Sequence, residues 1–131
     1  MAPLRVLVVD DRPLYRLVVR ALCACPGTSQ FALGAFEAVR LAAEQDFDLI
    51  LLDVGRSVLA GMSTAAHIRQ AERVKACQHR ARLVACAASE SDCRDCLVPG
   101  SALSGALRRP EDAAAMCACL ERWGGGKFPP H

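Results

Sequence analysis

Short aliphatic runs alternate along the chain with stretches whose apolar residues recur every three or four positions. Two runs, Val6-Leu7-Val8-Val9 and Leu49-Ile50-Leu51-Leu52, carry no polar residue, as strands covered on both faces of a parallel sheet require. They predict strands over Arg5–Val9 and Asp48–Leu52. Weaker runs add strands near Gln30–Leu33, Leu83–Ala87 and Gly105–Arg108. A first helix is expected from Pro13, a residue pre-set for a first helical turn, to the Pro26-Gly27 stop. Leu14, Leu17, Val18, Ala21 and Leu22 form its apolar face. Further helices are predicted over Phe36–Glu44, with Ala38, Val39 and Ala42 inward, and over Ser63–Arg73, with Ala65 and Ile68 inward. A fourth starts after Ser89, an N-cap with Asp92 three residues on, puts Cys93, Cys96 and Leu97 inward, and stops at Pro99-Gly100. The fifth runs from Pro110 to Trp123, with Ala113, Met116, Cys117 and Leu120 inward. The alternation of strand and helix predicts an α/β fold around a parallel sheet. One domain is expected over residues 1–123, followed by a flexible tail, Gly124–His131.

Both strong strands end in acid. Asp10-Asp11 closes the first and Asp53 the second. Sites in open parallel sheets form at the carboxyl ends of strands. Carboxylates gathered there repel one another unless a cation lies between them, and hard oxygen ligands suit Mg²⁺. A carboxylate beside such an ion can attack phosphorus. Plainer roles exist for the same residues. Asp53 can cap a loop, and Asp11 can be the N-cap of the first helix.

Together, VLVVDD, LILLDV, a glycine eight residues after Asp53 (Gly61) and the late pair Arg109-Pro110 resemble the receiver domain of two-component signalling, the CheY-like module. The resemblance spans Leu4 to Trp123. It implies a flavodoxin-like, doubly wound sheet of strand order 2-1-3-4-5. It implies that Asp53 accepts a phosphoryl group from a histidine kinase or phosphotransfer protein. Asp10, Asp11, Asp53 and the backbone carbonyl of Gly55 would hold Mg²⁺, and Arg109, or its neighbour Arg108, would stand in for the family's lysine. A downstream protein would read the face formed by the fourth helix, fifth strand and fifth helix. The resemblance describes a cytoplasmic, bacterial phosphoprotein of a phosphorelay, not an enzyme. The segment Asp92-Cys93-Arg94-Asp95-Cys96-Leu97 is similar to those of hybrid-kinase receivers.

The chain departs from the family pattern in five places. Ala87 stands where the family has the switch hydroxyl, with Ser89 the nearest alternative, and Ala106 stands where it has the switch aromatic. Ser57 replaces the proline of the loop after Asp53, and Arg56 adds a cation there that can substitute in part for metal. Arginine at 109 keeps the charge of lysine but is planar and binds through a fork. These departures support a second reading, a degenerate receiver that binds protein without being phosphorylated.

Bulk properties exclude several classes. The 131 residues fit one core, and a net charge of +2 gives no reason for a polyanion partner. Arg12, Arg16 and Arg20 form a solvated stripe, so no nucleic-acid partner is expected. No apolar stretch reaches about 18 residues and no signal peptide is evident, so no membrane partner is expected either. The eight cysteines read as reduced thiols packed as small apolar groups. Cys93-x-x-Cys96, the only CxxC, lacks the preceding strand of a redox motif, which leaves a thiol sensor as a minor alternative.

Overall fold

The aliphatic runs become the centre of a sheet in which every neighbouring pair is parallel. The computed structural model describes residues 3–23, 26–75 and 79–128. In chain order the elements are β1 (Leu4–Val9), α1 (Arg12–Leu22), β2 (Gly27–Ala32), α2 (Gly34–Glu44), β3 (Leu49–Asp53), α3 (Val58–Arg73), β4 (Arg82–Ala87), α4 (Glu90–Cys96), β5 (Gly105–Arg108) and α5 (Ala113–Trp123). The strands lie in the order β2-β1-β3-β4-β5, as expected.

Strand alternation divides the core into two layers. Leu7, Val9, Ile50, Leu52, Leu83 and Ala85 face one side, where α2, α3 and α4 cover them. Val6, Val8, Leu49, Leu51, Val84 and Cys86 face the other, under α1 and α5. Cys93 and Cys96 belong to the first layer, and Cys86 and Cys119 to the second. Burial raises the pKa of all four thiols, that of Cys119 to about 11. They are poor thiolates, which fits a packing role and not a redox one. Cys25 and Cys77 lie outside the described residues.

Several boundaries differ from expectation. β2 begins at Gly27, three residues before Gln30. It is an edge strand with mostly half-buried residues, so pairing with β1 recruits Thr28 and Ser29 without an apolar signal. α3 begins at Val58, well before Ser63. Ser57 caps it, accepting from the amide of Ala60 at 3.1 Å. Gly61 therefore lies within the helix, not in a loop before it. A Cβ there would collide with Cγ1 of Val54 and lie 3.2 Å from its Cβ. The glycine lets α3 close onto the segment that follows Asp53.

α5 begins at Ala113 and not at Pro110, because the carboxylate of Asp112 caps it, accepting from Ala115 N at 2.8 Å. Cys119, rather than Cys117, is its fully buried cysteine, and Leu97 is 48% exposed where the pattern put it inward. Phe128 is buried, and Lys127 Nζ reaches Asp48 Oδ1 at 2.9 Å, which ties the tail to the residue preceding β3. Residues 129–131 lie outside the described residues. Among those described, no helix is long and apolar enough to cross a membrane.

Gly61→Ala is expected to destabilise the fold by about 1–3 kcal/mol, the usual cost of overpacking. Denaturant unfolding measures it. The cost should shrink when Val54 is also trimmed to alanine, because the two side chains would occupy the same space.

Candidate functional site

β1 and β3 are neighbours with Val9 opposite Leu52, so the residues that follow meet at one edge of the sheet. There the acidic pair separates. Asp11 turns beneath the start of α1, and its Oδ1 accepts from the amide of Leu14 at 2.9 Å. This is the capping role open to it from sequence. The same carboxylate receives a two-bond fork from Arg109, Nε to Oδ2 at 2.5 Å and Nη2 to Oδ1 at 2.9 Å. The Asp11 side chain is only 6% exposed, against 33% for Arg109.

The fork is positioned by backbone. β5 pairs Arg108 with Ala87, and the amide of Arg109 donates to the carbonyl of Ala87 at 2.9 Å. Arg108 is exposed, whereas Arg109 reaches across to Asp11. The fork holds the carboxyl of Asp11 below the ordinary aspartate range, against the opposing effect of burial. Reciprocally, the Asp11 carboxylate raises the pKa of Arg109.

Asp10 lies on the other side of the edge. It is exposed, its φ is 64°, and its amide donates to the carbonyl of Ala32 at 2.8 Å. Asp53 is half-buried at the end of β3, and its Oδ1 accepts from the amide of Gly55 at 2.8 Å. Asp10 and Asp53 line a cavity of about 220 Å³ together with Arg56, Ser57 and Thr64. Ala35 and Ala60, from the first turns of α2 and α3, complete its wall. Helix N-termini favour anions, and so does the guanidinium of Arg56.

The sequence therefore located Asp10, Asp11, Asp53, Gly55 and Arg109 at one edge, but not their division into a paired set and a cavity set. Thr64 escaped notice because it lies within α3, where its hydroxyl donates to the carbonyl of Ala60 at 3.0 Å. Ala87 is buried at the end of β4 and Ala106 half-buried in β5. Ser89, the alternative hydroxyl, is committed to α4, accepting from Asp92 N at 3.1 Å.

The donor set does not fit a divalent cation as it stands. Among the described residues no three His, Cys, Asp or Glu side chains converge in a way that could hold a metal ion. Asp11 has both oxygens engaged by a cation the protein already carries.

No family model matches the chain. It is 32% identical over 125 residues to hybrid signal transduction histidine kinase A of Dictyostelium discoideum, covering 92% of this chain and 6% of that protein's length. The receiver domain of a sensor histidine kinase from Pseudomonas aeruginosa, with magnesium coordinated in its active-site cleft, superposes with a TM-score of 0.67. The two are 28% identical, with 95% of this chain and 99% of that one covered. The Saccharomyces cerevisiae complex of the phosphotransfer protein Ypd1 with the receiver domain of the response regulator Ssk1 gives a TM-score of 0.74 at 24% identity. That match covers 98% of this chain and 93% of the other.

Two substitutions separate the roles of Asp11. Asn caps helices as well as Asp, so Asp11→Asn removes the charge and keeps the cap, whereas Asp11→Ala removes both. The alanine variant should be less stable by about a further 1 kcal/mol. Because the carboxyl is depressed when folded, its contribution is complete above about pH 4 and is lost as acid carries the pH through the depressed value. Acid unfolding of Asp11→Asn should lack that component.

Proposed function

We propose that this chain, which belongs to the CheY-like receiver domains of two-component signalling, accepts a phosphoryl group on Asp53 from a histidine kinase or a histidine phosphotransfer protein. The carrying observation is the carboxylate of Asp53, opening at a strand end onto a cavity that also holds Arg56 and the first turns of two helices. The amide of Gly55 engages Oδ1 and orients the group, leaving Oδ2 for attack. In the transfer, Oδ2 of Asp53 forms a bond to phosphorus as the N–P bond of the donor phosphohistidine breaks. The imidazole leaves with the electron pair and takes up a proton. The protein supplies position and charge, and the donor supplies the leaving group. In this reading the chain acts as a phosphoacceptor and assists its own modification at most.

The backbone of Asp10 supports a role for its carboxylate. A non-glycine residue at positive φ costs about 1 kcal/mol or more, and such positions gather at functional sites. Two features of relatives guide the choice of partner. The yeast receiver was solved with a phosphotransfer protein, and the Dictyostelium relative is a hybrid kinase. A phosphotransfer protein or kinase is accordingly the proposed donor, and a receiver segment within a longer hybrid kinase is the proposed setting. The surface of α4, β5 and α5 is the proposed output face.

A second reading has its own observation. With Ala87 and Ala106 at the switch positions and Arg109 held by Asp11, the relay that the resemblance implies lacks its hydroxyl and its ring, and its cation is already engaged. A ligand shifts an equilibrium only through its differential interaction with the two states. The domain would then bind partners without being phosphorylated. Mass spectrometry after incubation with a phosphorylated transfer protein separates the two. One added phosphoryl group in wild type and none in Asp53→Asn is the expected outcome. Equal labelling of both would remove Asp53 from the mechanism. No labelling of wild type, by a donor that labels a control receiver, would leave the binding-module reading.

A further inference from the structure

We infer that Arg109 occupies the cation place of this acidic edge, so that the site is neutralised from within and has little affinity for magnesium. The inference deepens the reading of the same site. It does not depend on whether Asp53 is phosphorylated.

The argument begins with the lone pairs of Asp11. Magnesium demands near-ideal octahedral geometry, with ligand oxygens about 2.0–2.1 Å away. Here Oδ2 accepts from Arg109 Nε at 2.5 Å, and Oδ1 accepts from Arg109 Nη2 and Leu14 N, each at 2.9 Å. With the side chain 6% exposed, little water remains on it for an ion to exchange. An incoming cation would have to break a charge-assisted fork, and it would then face a guanidinium that cannot lose its proton.

The planar fork of an arginine, where a lysine would offer a point charge, is what makes this possible. An ammonium is a point charge that a metal can share a carboxylate with, whereas a planar guanidinium covers both oxygens at once. Arg109 is also tied by its amide to Ala87, which limits how far it can withdraw. On the cavity side, Asp10 and Asp53 have Arg56 with them. Three carboxylates thus share their edge with two guanidinium groups, which removes most of the repulsion that would otherwise recruit a divalent ion.

Magnesium chloride titrations, followed by amide NMR shifts at Asp10, Asp11 and Asp53 and by melting temperature, test this without any phosphodonor. Wild type should show no saturable response at millimolar magnesium and no rise in melting temperature. Arg109→Gln, which frees Asp11, should bind on the order of tenfold more tightly or better and be stabilised by the ion. That gain should vanish when Asp11→Asn is added. Arg109→Lys keeps the charge without the fork and should fall between, which also covers the case in which the glutamine variant does not fold. Binding by wild type as tight as by either variant would overturn the inference, and so would a folded Arg109→Gln that takes up no magnesium. Because only magnesium is added, labelling of Asp53 can succeed or fail separately.

Discussion

The fork between Arg109 and Asp11 is the interaction on which the rest of the site depends. It spans 98 residues of sequence and joins the start of α1 to the loop after β5. One carboxylate thereby serves two ends, closing the first turn of α1 and holding the arginine. Its charge is kept because the fork and the cap amide together outweigh the cost of burial, as the lowered pKa shows. A buried pair of this kind is weak evidence for stability, but removing either partner leaves the other exposed to the full penalty. With Asp11 committed, Asp53, Asp10 and Arg56 remain around their cavity at the edge.

Much of this architecture was legible because the central strands are fully covered. Val6–Val9 and Leu49–Leu52 had to be apolar throughout, so their positions, to within one residue at an end, and the acids that close them were plain. β5 matched over Gly105–Arg108 for a related reason, being bracketed by polar residues. β2 was misplaced because an edge strand need not be apolar. The starts of α3 and α5 were missed because Ser57 and Asp112 are caps without an obvious pattern ahead of them, and Gly61 imitated a loop. In the site, the residue types were readable but their pairing was not. The place of Asp11 before α1 gave its capping role, but the positive φ at Asp10, which sends the two acids to opposite sides, has no sequence signal.

The same fork bears on signalling. In the proposed reading a phosphoryl signal would be carried outward through a hydroxyl and a ring, and Ala87 and Ala106 put methyl groups at both places. Ala87 still contributes through its backbone, whose carbonyl holds the amide of Arg109. The loop after β5 is thus connected to the acidic edge through Arg109 and Ala87. A second network lies at the opposite edge. Buried Glu72 accepts from Arg69 and from the amide of Ala81, and Arg69 also reaches Ala102 and Ser104, which fastens α3 to the segment before β5.

A double-mutant cycle on Asp11 and Arg109 tests the central claim most directly. Asp11→Asn, Arg109→Gln and the double variant would be compared with wild type by denaturant unfolding near neutral pH. Asparagine preserves the cap, so the cycle isolates the fork. The account predicts a favourable coupling of about 1–3 kcal/mol, the range for hydrogen bonds to charged groups and for residues in contact. A coupling near zero would contradict it, because the two side chains would then not hold one another in solution.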